Sequence, residues 1–281
     1  MRAQTADVGR HVAVMVPPPK WSLPRFRELW LARELVYFLA WRDLKVRYTQ
    51  AALGVTWSVL QPLIMMVVST LVFGRLVKVP SSGVPYPVFA FAGLLPWTFF
   101  ANAVASSTQS LVNSANMISK VYFPRLALPV AALIAWLPDL GIASILLVFL
   151  MLAFGVVPAW TIVLVPAFAL LALLAAASVS IGLAALNVTY RDVRYVVPFL
   201  LQIWLFLTPV LYPPRILGDR FRFLLAVNPM TGVVEGFRWS VLGHGSPAWG
   251  LVAGSCVSSL VLLAGGLLYF RRMEHSFADV V

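Results

Sequence analysis

The sequence predicts an all-α integral membrane protein, and its composition, its apolar runs and the placement of its basic residues indicate that fold class. Of its 281 residues, 61% are hydrophobic and 11% are charged, whereas about a quarter of a soluble domain is charged. Crossing a hydrocarbon core of about 30 Å takes roughly 20 helical residues. Thr208 and Pro209 interrupt the outer end of the fifth predicted span. The six predicted spans cover residues 54–77, 87–109, 127–154, 160–186, 196–211 and 249–270.

The basic residues orient these spans. Six crossings put both termini on one side, and fifteen of the 21 Lys and Arg residues fall on that side, against six on the other. Because cytoplasmic loops of membrane proteins carry an excess of basic residues, we expect both termini in the cytoplasm. Orientation and anionic headgroups also explain the net charge of +11. A nucleic-acid partner is not expected, since it would need a soluble basic domain.

The segment before the first span divides into a mobile cytoplasmic tail, residues 1–21, and an amphipathic helix, residues 22–50. At about 100° per residue, the aromatic side chains of this helix form a stripe, and basic residues surround it. Such a helix lies in the membrane interface, either as a plain anchor or also to recognise an anionic lipid-linked substrate. The candidate headgroup and interface residues are Arg25, Arg27, Tyr37, Trp41, Arg42, Lys45 and Arg47.

The last external segment, residues 212–247, contains two apolar pieces near 221–227 and 230–242, with a turn at Asn228 and Pro229. Each piece is too short to cross a membrane, so both suit re-entrant or interfacial helices. A lid of two gate helices at the outer mouth is the favoured interpretation, and a surface loop is the alternative.

The sequence contains no catalytic or metal-binding pattern. None of its four lysines follows a glycine, so no phosphate-cradling P-loop exists in this chain. The three histidines and the single Cys256 lack metal-ligand spacing. We therefore expect no enzymatic activity and neither cofactor nor metal. Asp139, the one acid well inside a span, is interpreted as hydrogen-bonded to a turn opened by Pro138 or to a neighbour, with proton coupling as the alternative.

Five motifs occur in register along the chain: RDLKVRYTQAALGVTWSVLQPL (42–63), AGLLPWTFF (92–100), NVTYRDVRYVVPFLLQIWLFLTPVLYP (187–213), NPM (228–230) and FRRMEHSFADVV (270–281). Together they resemble one known family, the permease subunits of polysaccharide exporters of the ATP-binding-cassette class, which move O-antigens, capsules, teichoic acids and galactans. The resemblance implies a type-2 exporter fold in a bacterial inner membrane and a channel between two copies of the chain. It also implies two copies of a separate ATPase that uses ATP and Mg, and a glycan carried on undecaprenyl pyrophosphate.

The resemblance also assigns roles to particular residues. By composition alone, residues 113–129 hold a short semi-polar helix that caps the bundle or docks onto a partner; the resemblance makes 113–125 a coupling helix in the ATPase. Aromatic side chains near the channel stack on sugars, or else contact lipid. The coupling candidates are Asn113, Lys120, Tyr122, Pro124 and Arg125, and the channel candidates are Trp57, Trp97, Phe99, Trp204 and Phe206.

A polar loop, residues 187–195, separates spans four and five. Its charged residues are Arg191, Asp192 and Arg194. The two arginines are three positions apart, so both project on one side of a helix start. The favoured interpretation is an anchor of snorkelling arginines at the cytoplasmic interface, and contact near the ATPase is the alternative.

Three other functions compete with polysaccharide export, two of them from different classes of protein. An ion-driven secondary transporter would show inverted repeats and several intramembrane charges, and the sequence offers Asp139 and no visible repeat. A membrane glycosyltransferase would need an acidic metal site, whereas the acids of the loops occur singly. An exporter of small drugs or lipids is the nearest alternative within the same class of transporter.

Overall fold

The computed structural model describes residues 26–49, 56–81, 83–121, 123–218, 221–243, 245 and 248–274. No β-strand occurs in these residues, which confirms the predicted all-α class. The predicted tail, residues 1–21, and the candidates Arg25 and Tyr122 lie outside the described residues.

The chain folds into twelve α-helices within the described part. Most follow the predicted spans to within a few residues. They are α1 (Phe26–Leu31), α2 (Arg33–Thr49), α3 (Thr56–Ser69), α4 (Tyr86–Asn113), α5 (Ala115–Ile118), α6 (Ala127–Ile134), α7 (Leu137–Ala153), α8 (Val165–Thr189), α9 (Val193–Leu207), α10 (Arg222–Val227), α11 (Thr231–Leu242) and α12 (Trp249–Glu274). A π-helix, Thr70–Leu76, continues α3, and 3₁₀ turns at Trp160–Leu164 and Pro214–Leu217 precede α8 and α10.

Five segments of the described residues are long and apolar enough to cross a membrane, against six predicted. The fifth predicted span corresponds to α9, which has 15 residues. At 1.5 Å per residue α9 extends about 22 Å, less than a hydrocarbon core of about 30 Å. The predicted boundary at 211 is wrong, because α9 ends at Leu207 and an irregular segment follows. A sixth crossing therefore stays a prediction.

Helix α4 is the centre of the bundle. In its most apolar 18-residue stretch 78% of the residues are buried, against 17 to 28% in the other four candidate spans. It packs on α3, α6, α7, α8, α9 and α11. The other spans therefore expose wide apolar surfaces, which suit lipid or another subunit.

The third predicted span is broken into α6 and α7. The break falls at Ala135 and Trp136, and Pro138 occupies the first turn of α7. Proline lacks an N–H group, so it leaves a carbonyl of the preceding turn without its usual helical donor. This break is where the amphipathic helix meets the bundle.

Candidate functional site

Helix α2 of the predicted interface segment packs one face on the bundle and exposes the other. Its buried residues, Val36, Leu39 and Ala40, join a cluster with residues of α6, α8 and α12. The aromatic side chains Trp30, Tyr37 and Trp41 are 68%, 63% and 54% exposed. These three rings of the predicted aromatic stripe therefore lie on the surface, as a membrane-interface helix requires. Tyr48, which the predicted stripe also includes, instead turns towards the bundle and donates to Asp139.

The basic candidates on this segment have different surroundings. Arg42 is exposed and pairs with its neighbour Asp43 at 2.9 Å, and Lys45 is exposed. The side chain of Arg27 lies outside the described residues. Arg47 is turned towards the bundle. Contact of Arg42 and Lys45 with lipid headgroups stays a prediction.

Arg47 is the centre of a polar group that we call the Arg47 cluster: Arg47, Tyr48, Trp136 and Asp139. Arg47 Nη1 donates to Asp139 Oδ2 at 2.8 Å and to the Ala135 carbonyl at 3.4 Å. The Tyr48 hydroxyl donates to Asp139 Oδ1 at 2.9 Å. The guanidinium carbon lies 3.5 Å from the Trp136 ring centroid. Burial lowers the pKa of Arg47, and the charge of Asp139 acts in the opposite direction.

These contacts explain the acid inside the third span. Asp139 bonds to a neighbouring helix, which confirms the interpretation that it is hydrogen-bonded rather than left unpaired. It also stands in the first turn of α7, where the helix dipole favours a negative charge. A role in proton coupling is not needed to account for its burial.

A groove of about 510 Å³ lies beside the Arg47 cluster, between α2, the end of α4, α5 and α6. Its walls carry charged, hydroxyl and amide groups with some apolar side chains. The polar residues that line it are Arg42, Asp43, Arg47, Ser106, Ser110, Asn113, Ser114 and Asn116. The groove opens at the predicted cytoplasmic end of the molecule.

The predicted coupling helix is much shorter in the structure. Asn113 ends α4, and α5 contains only the four residues Ala115–Ile118 instead of the predicted 113–125. The chain then turns, because Pro124 cannot continue a helix. Lys120 is exposed, and Arg125 donates to the carbonyl of Glu274 at the end of α12. Coupling to an ATPase stays a prediction for this segment.

The channel candidates separate into buried and exposed side chains. Trp97 and Phe99 are 4% and 3% exposed and belong to the core of the chain. Trp204 is partly buried, with its ring centroid 5.4 Å from that of Phe100. Trp57 and Phe206 are exposed. A sugar could stack only on the exposed rings without rearrangement, so the burial of Trp97 and Phe99 favours a packing role.

A second buried arginine lies near the start of α4. The Arg238 cluster consists of Arg238, Glu235, Phe89 and the carbonyls of Pro209 and Val210. Arg238 pairs with Glu235, and its Nη2 donates to the two carbonyls at 3.2 and 2.7 Å. Its guanidinium carbon lies 3.9 Å from the Phe89 ring centroid. The cluster thus supplies hydrogen-bond donors to irregular backbone at the end of α9.

Gly93 of α4 makes the Arg238 cluster possible. A Cβ atom at this position would lie 2.5 Å from Arg238 Nη2 and 2.5 Å from the Val210 carbonyl oxygen. On the same side, the Tyr86 hydroxyl donates to the Leu211 carbonyl at 2.8 Å. The start of α4 is therefore fitted closely to the segment that follows α9.

Asn228, at the predicted turn, joins the same region to α11 and α12. Its Nδ2 donates to Thr208 Oγ1 at 2.9 Å, and its Oδ1 accepts from Trp204 Nε1 at 3.2 Å and from the Met230 amide at 3.0 Å. Ser255 Oγ of α12 donates to the Asn228 carbonyl at 2.8 Å. One asparagine thus holds the end of α9 and the start of α11 together.

The two predicted gate helices exist as α10 and α11, and they differ in burial. Most of α11 is buried. The Phe168 ring packs directly on Gly236, because a Cβ atom at position 236 would lie 1.9 Å from Phe168 Cε1. A surface loop is therefore the wrong interpretation for α11. In α10, Phe223 and Leu224 are exposed. Re-entry into a membrane and a lid function stay predictions.

The polar loop between α8 and α9 lies on the surface. Arg191, Asp192 and Arg194 are exposed, and the Arg194 guanidinium carbon lies 4.6 Å from the Tyr195 ring centroid. At the start of the loop Asn187 is buried and donates to the Thr108 carbonyl of α4 at 3.0 Å. Both predicted roles of the loop arginines, anchor and ATPase contact, remain predictions.

Sequence reasoning did not select the Arg238 cluster. A signal was present, because Glu235 and Arg238 are three residues apart in a segment predicted as a helix and therefore share one face. The carbonyl partners of Arg238 could not be found, since they depend on where α9 ends. The partnership of Arg47 and Tyr48 with Asp139 was missed for a similar reason: it joins segments about 90 residues apart.

Comparison with known proteins places the chain in a family. The ABC-2 type transporter family pattern matches residues 34–242. The chain is 34% identical over 259 residues to the O-antigen export system permease protein RfbA of Myxococcus xanthus, covering 91% of this chain and 98% of that relative. A Klebsiella pneumoniae protein of the same name is 27% identical, covering 88% and 95%.

A third relative, the polysialic acid transport protein KpsM of Escherichia coli, is 24% identical, covering 83% of this chain and 91% of the relative. The family match extends from α2 to α11 and includes both arginine clusters. The agreement of the helical membrane fold with a match over most of the chain leads to one conclusion: this protein belongs to the ABC-2 type transporter family.

Proposed function

We propose that this chain is the channel-forming subunit of an ATP-driven exporter that moves a polysaccharide on an undecaprenyl-pyrophosphate lipid out of the cytoplasm, across a bacterial inner membrane. The observation that carries the proposal is similarity along nearly the whole length to a permease named for O-antigen export. The relative from Escherichia coli is likewise named for transport of a polysaccharide.

A separate ATPase supplies the energy in this proposal. The sequence contains no P-loop, so ATP and Mg would bind to that partner. The groove beside α2 and the turn after α5 lie at one end of the bundle, together with the ends of α4 and α12. This end offers charged side chains and a concave surface on which a soluble subunit could dock.

A second copy of the chain completes the channel in this proposal. One chain buries α4 at its centre and packs other helices around it. Helices α3 and α9 expose apolar side chains, and α9 is too short to stand alone in lipid. Pairing of two chains through such faces would cover this surface and put the exposed Trp57 and Phe206 near the axis.

The test is co-purification of the detergent-solubilised protein with its candidate ATPase, followed by measurement of hydrolysis with and without the lipid-linked glycan. We expect a stable complex whose ATPase activity rises when the glycan is added. A matched control uses the same lipid without sugar. ATP-stimulated efflux of small drugs, with no response to glycan, would instead favour the drug or lipid exporter.

A further inference from the structure

We infer that Arg47 and Asp139 are positioning residues that brace the break in the third span, so that the position of α2 sets the angle between α6 and α7 during transport. The inference rests on the proposed function for the transport step alone. The brace itself follows from contacts within this chain.

Arg47 touches both sides of the break. It donates to the Ala135 carbonyl at the end of α6 and to the Asp139 carboxylate in the first turn of α7. Its guanidinium also lies on the ring of Trp136, which stands between the two helices. A single side chain of α2 thus fixes three consecutive parts of the broken span.

The break needs such a brace because its own backbone bonding is interrupted. Pro138 has no N–H group, so a carbonyl of the preceding turn loses its helical donor. Leu140 continues the helical pattern by donating to the Trp136 carbonyl at 3.3 Å. The carbonyl that Pro138 leaves without a donor is that of Ile134. Arg47 donates to the next carbonyl, that of Ala135, and to the Asp139 carboxylate. These bonds come from outside the broken span, and the angle therefore depends on where α2 lies.

Helix α2 is well placed to transmit a movement. Its buried face packs against α6, before the break, while Arg47 and Tyr48 near its end reach Asp139, after the break. Its opposite face is exposed. A displacement of α2 would push on α6 through apolar packing and pull on α7 through the bonds to Asp139. Because the two helices respond through different contacts, the angle between them would change.

The first experiment measures the brace without ATP. Spin labels are placed at two exposed positions, by Phe38→Cys on α2 and Phe149→Cys on α7, in a Cys256→Ser background, and the labelled chain is diluted with unlabelled chain. We expect one narrow distance distribution, which broadens or shifts with Arg47→Gln and with Asp139→Asn. The matched control Arg33→Gln removes an exposed arginine from the same helix and should change nothing. Equal distributions in all variants would overturn the inference.

The second experiment measures glycan exported per ATP hydrolysed, in complexes with the partner ATPase. We expect Arg47→Gln to keep hydrolysis and to lower export per ATP by about tenfold, a size usual for coupling between sites. Asp139→Asn should likewise lower the amount of glycan exported per ATP. Asp139→Glu keeps the negative charge and should therefore lose less of it. A lower thermal stability with an unchanged ratio would show a purely structural contact and overturn the inference.

Two precautions keep the outcomes distinct. If Arg47→Gln does not fold, Tyr48→Phe removes only one hydroxyl from the cluster and should show the same broadening to a smaller degree. If the wild-type complex neither hydrolyses ATP nor exports glycan, the proposed function fails, and the distance measurement still decides whether Arg47 braces the break.

Discussion

The two arginine clusters show opposite ways of using a buried charge in one bundle. Arg238 and its partner Glu235 lie in one helix, and their side chains are 6% and 21% exposed. Arg47 and Asp139 lie 92 residues apart on separate elements, and their side chains are 24% and 11% exposed. Arg238 is enclosed by the core and pairs within its own helix, whereas Arg47 is partly exposed and joins a surface helix to the core.

The neighbours of the two clusters differ in the same way. Arg238 packs against Phe89, and Gly93 lies so close to it that an added Cβ atom would clash, so this region is tightly packed. Arg47 lies at the wall of an open groove. Arg238 contacts Phe89 of α4, and Arg47 lines a groove with Ser110 of the same helix. These two positions are about 30 Å apart along α4. The surroundings of Arg238 are therefore tightly packed, whereas those of Arg47 leave open space into which α2 can move.

Loss of Arg238 should have the largest effect. Arg238→Gln would remove the cation that pairs directly with Glu235 and would weaken the donors to the Pro209 and Val210 carbonyls. Breaking a buried ion pair in this way typically costs about 3 to 5 kcal/mol. We expect a large fall in the thermal unfolding temperature of the detergent-solubilised protein. Arg191→Gln, which changes an exposed arginine of the loop between α8 and α9, serves as the control, and equal unfolding temperatures for both variants would contradict the account.

A methyl group at Gly93 should have the next largest effect. Gly93→Ala would push against Arg238 Nη2 and the Val210 carbonyl, and overpacking of this kind costs about 1 to 3 kcal/mol. The control is Gly141→Ala in α7, where an added Cβ meets nothing within 4 Å. Thermal unfolding checks both variants, and a stable Gly93→Ala protein would show that the fit around Arg238 is loose.

The Arg47 cluster should contribute less to stability. Arg47→Gln removes one partly exposed charge pair, and Tyr48 keeps its hydrogen bond to Asp139. Because net contributions of charged hydrogen bonds are about 1.5 to 3 kcal/mol when fully formed, we expect about 1 to 2 kcal/mol here. The free energy of unfolding in a denaturant titration measures it. A loss as large as that of Arg238→Gln would remove the contrast between the clusters.

The smallest effect is expected at the polar loop. Arg194→Gln changes an exposed side chain whose recorded contact is with its neighbour Tyr195. Surface changes of this kind usually stay within about 0.5 kcal/mol, so the unfolding temperature should stay that of the wild type. A marked loss of ATPase binding at unchanged stability would assign the loop to partner contact rather than to anchoring.

The sequence predicted what depends on local pattern. Apolar runs located five spans and the two apolar pieces near 221–227 and 230–242, and the aromatic positions Tyr37 and Trp41 indicated the exposed face of α2. Pro138 beside Asp139 indicated a hydrogen-bonded acid, and the structure confirms it. For the apolar runs and the aromatic positions, the residues that decide the structure stand within a turn or two of each other. For Asp139, only the expectation of a hydrogen bond was local, because its partners Arg47 and Tyr48 lie about 90 residues away.

What could not be predicted depends on contacts between distant segments. The end of α9 at Leu207 and the burial of α11 are fixed by Arg238 and Asn228, which act on residues 20 to 29 positions away. The coupling segment was overestimated because the sequence 113–125 is semi-polar throughout and does not show that the helix lasts one turn. Trp97 looked like a channel residue because burial in a core and exposure to a channel have the same local pattern.

The most direct test of the central claim is transport into sealed vesicles. Vesicles containing this protein and its ATPase are given ATP and undecaprenyl-pyrophosphate-linked glycan on the side where the ATPase binds, and the glycan that becomes protected from an added glycosidase is measured. We predict protection that requires ATP hydrolysis and is lost with a non-hydrolysable ATP analogue. Transport that survives without ATP and collapses with the proton gradient, or vesicles that move small drugs while the glycan stays accessible, would contradict the account.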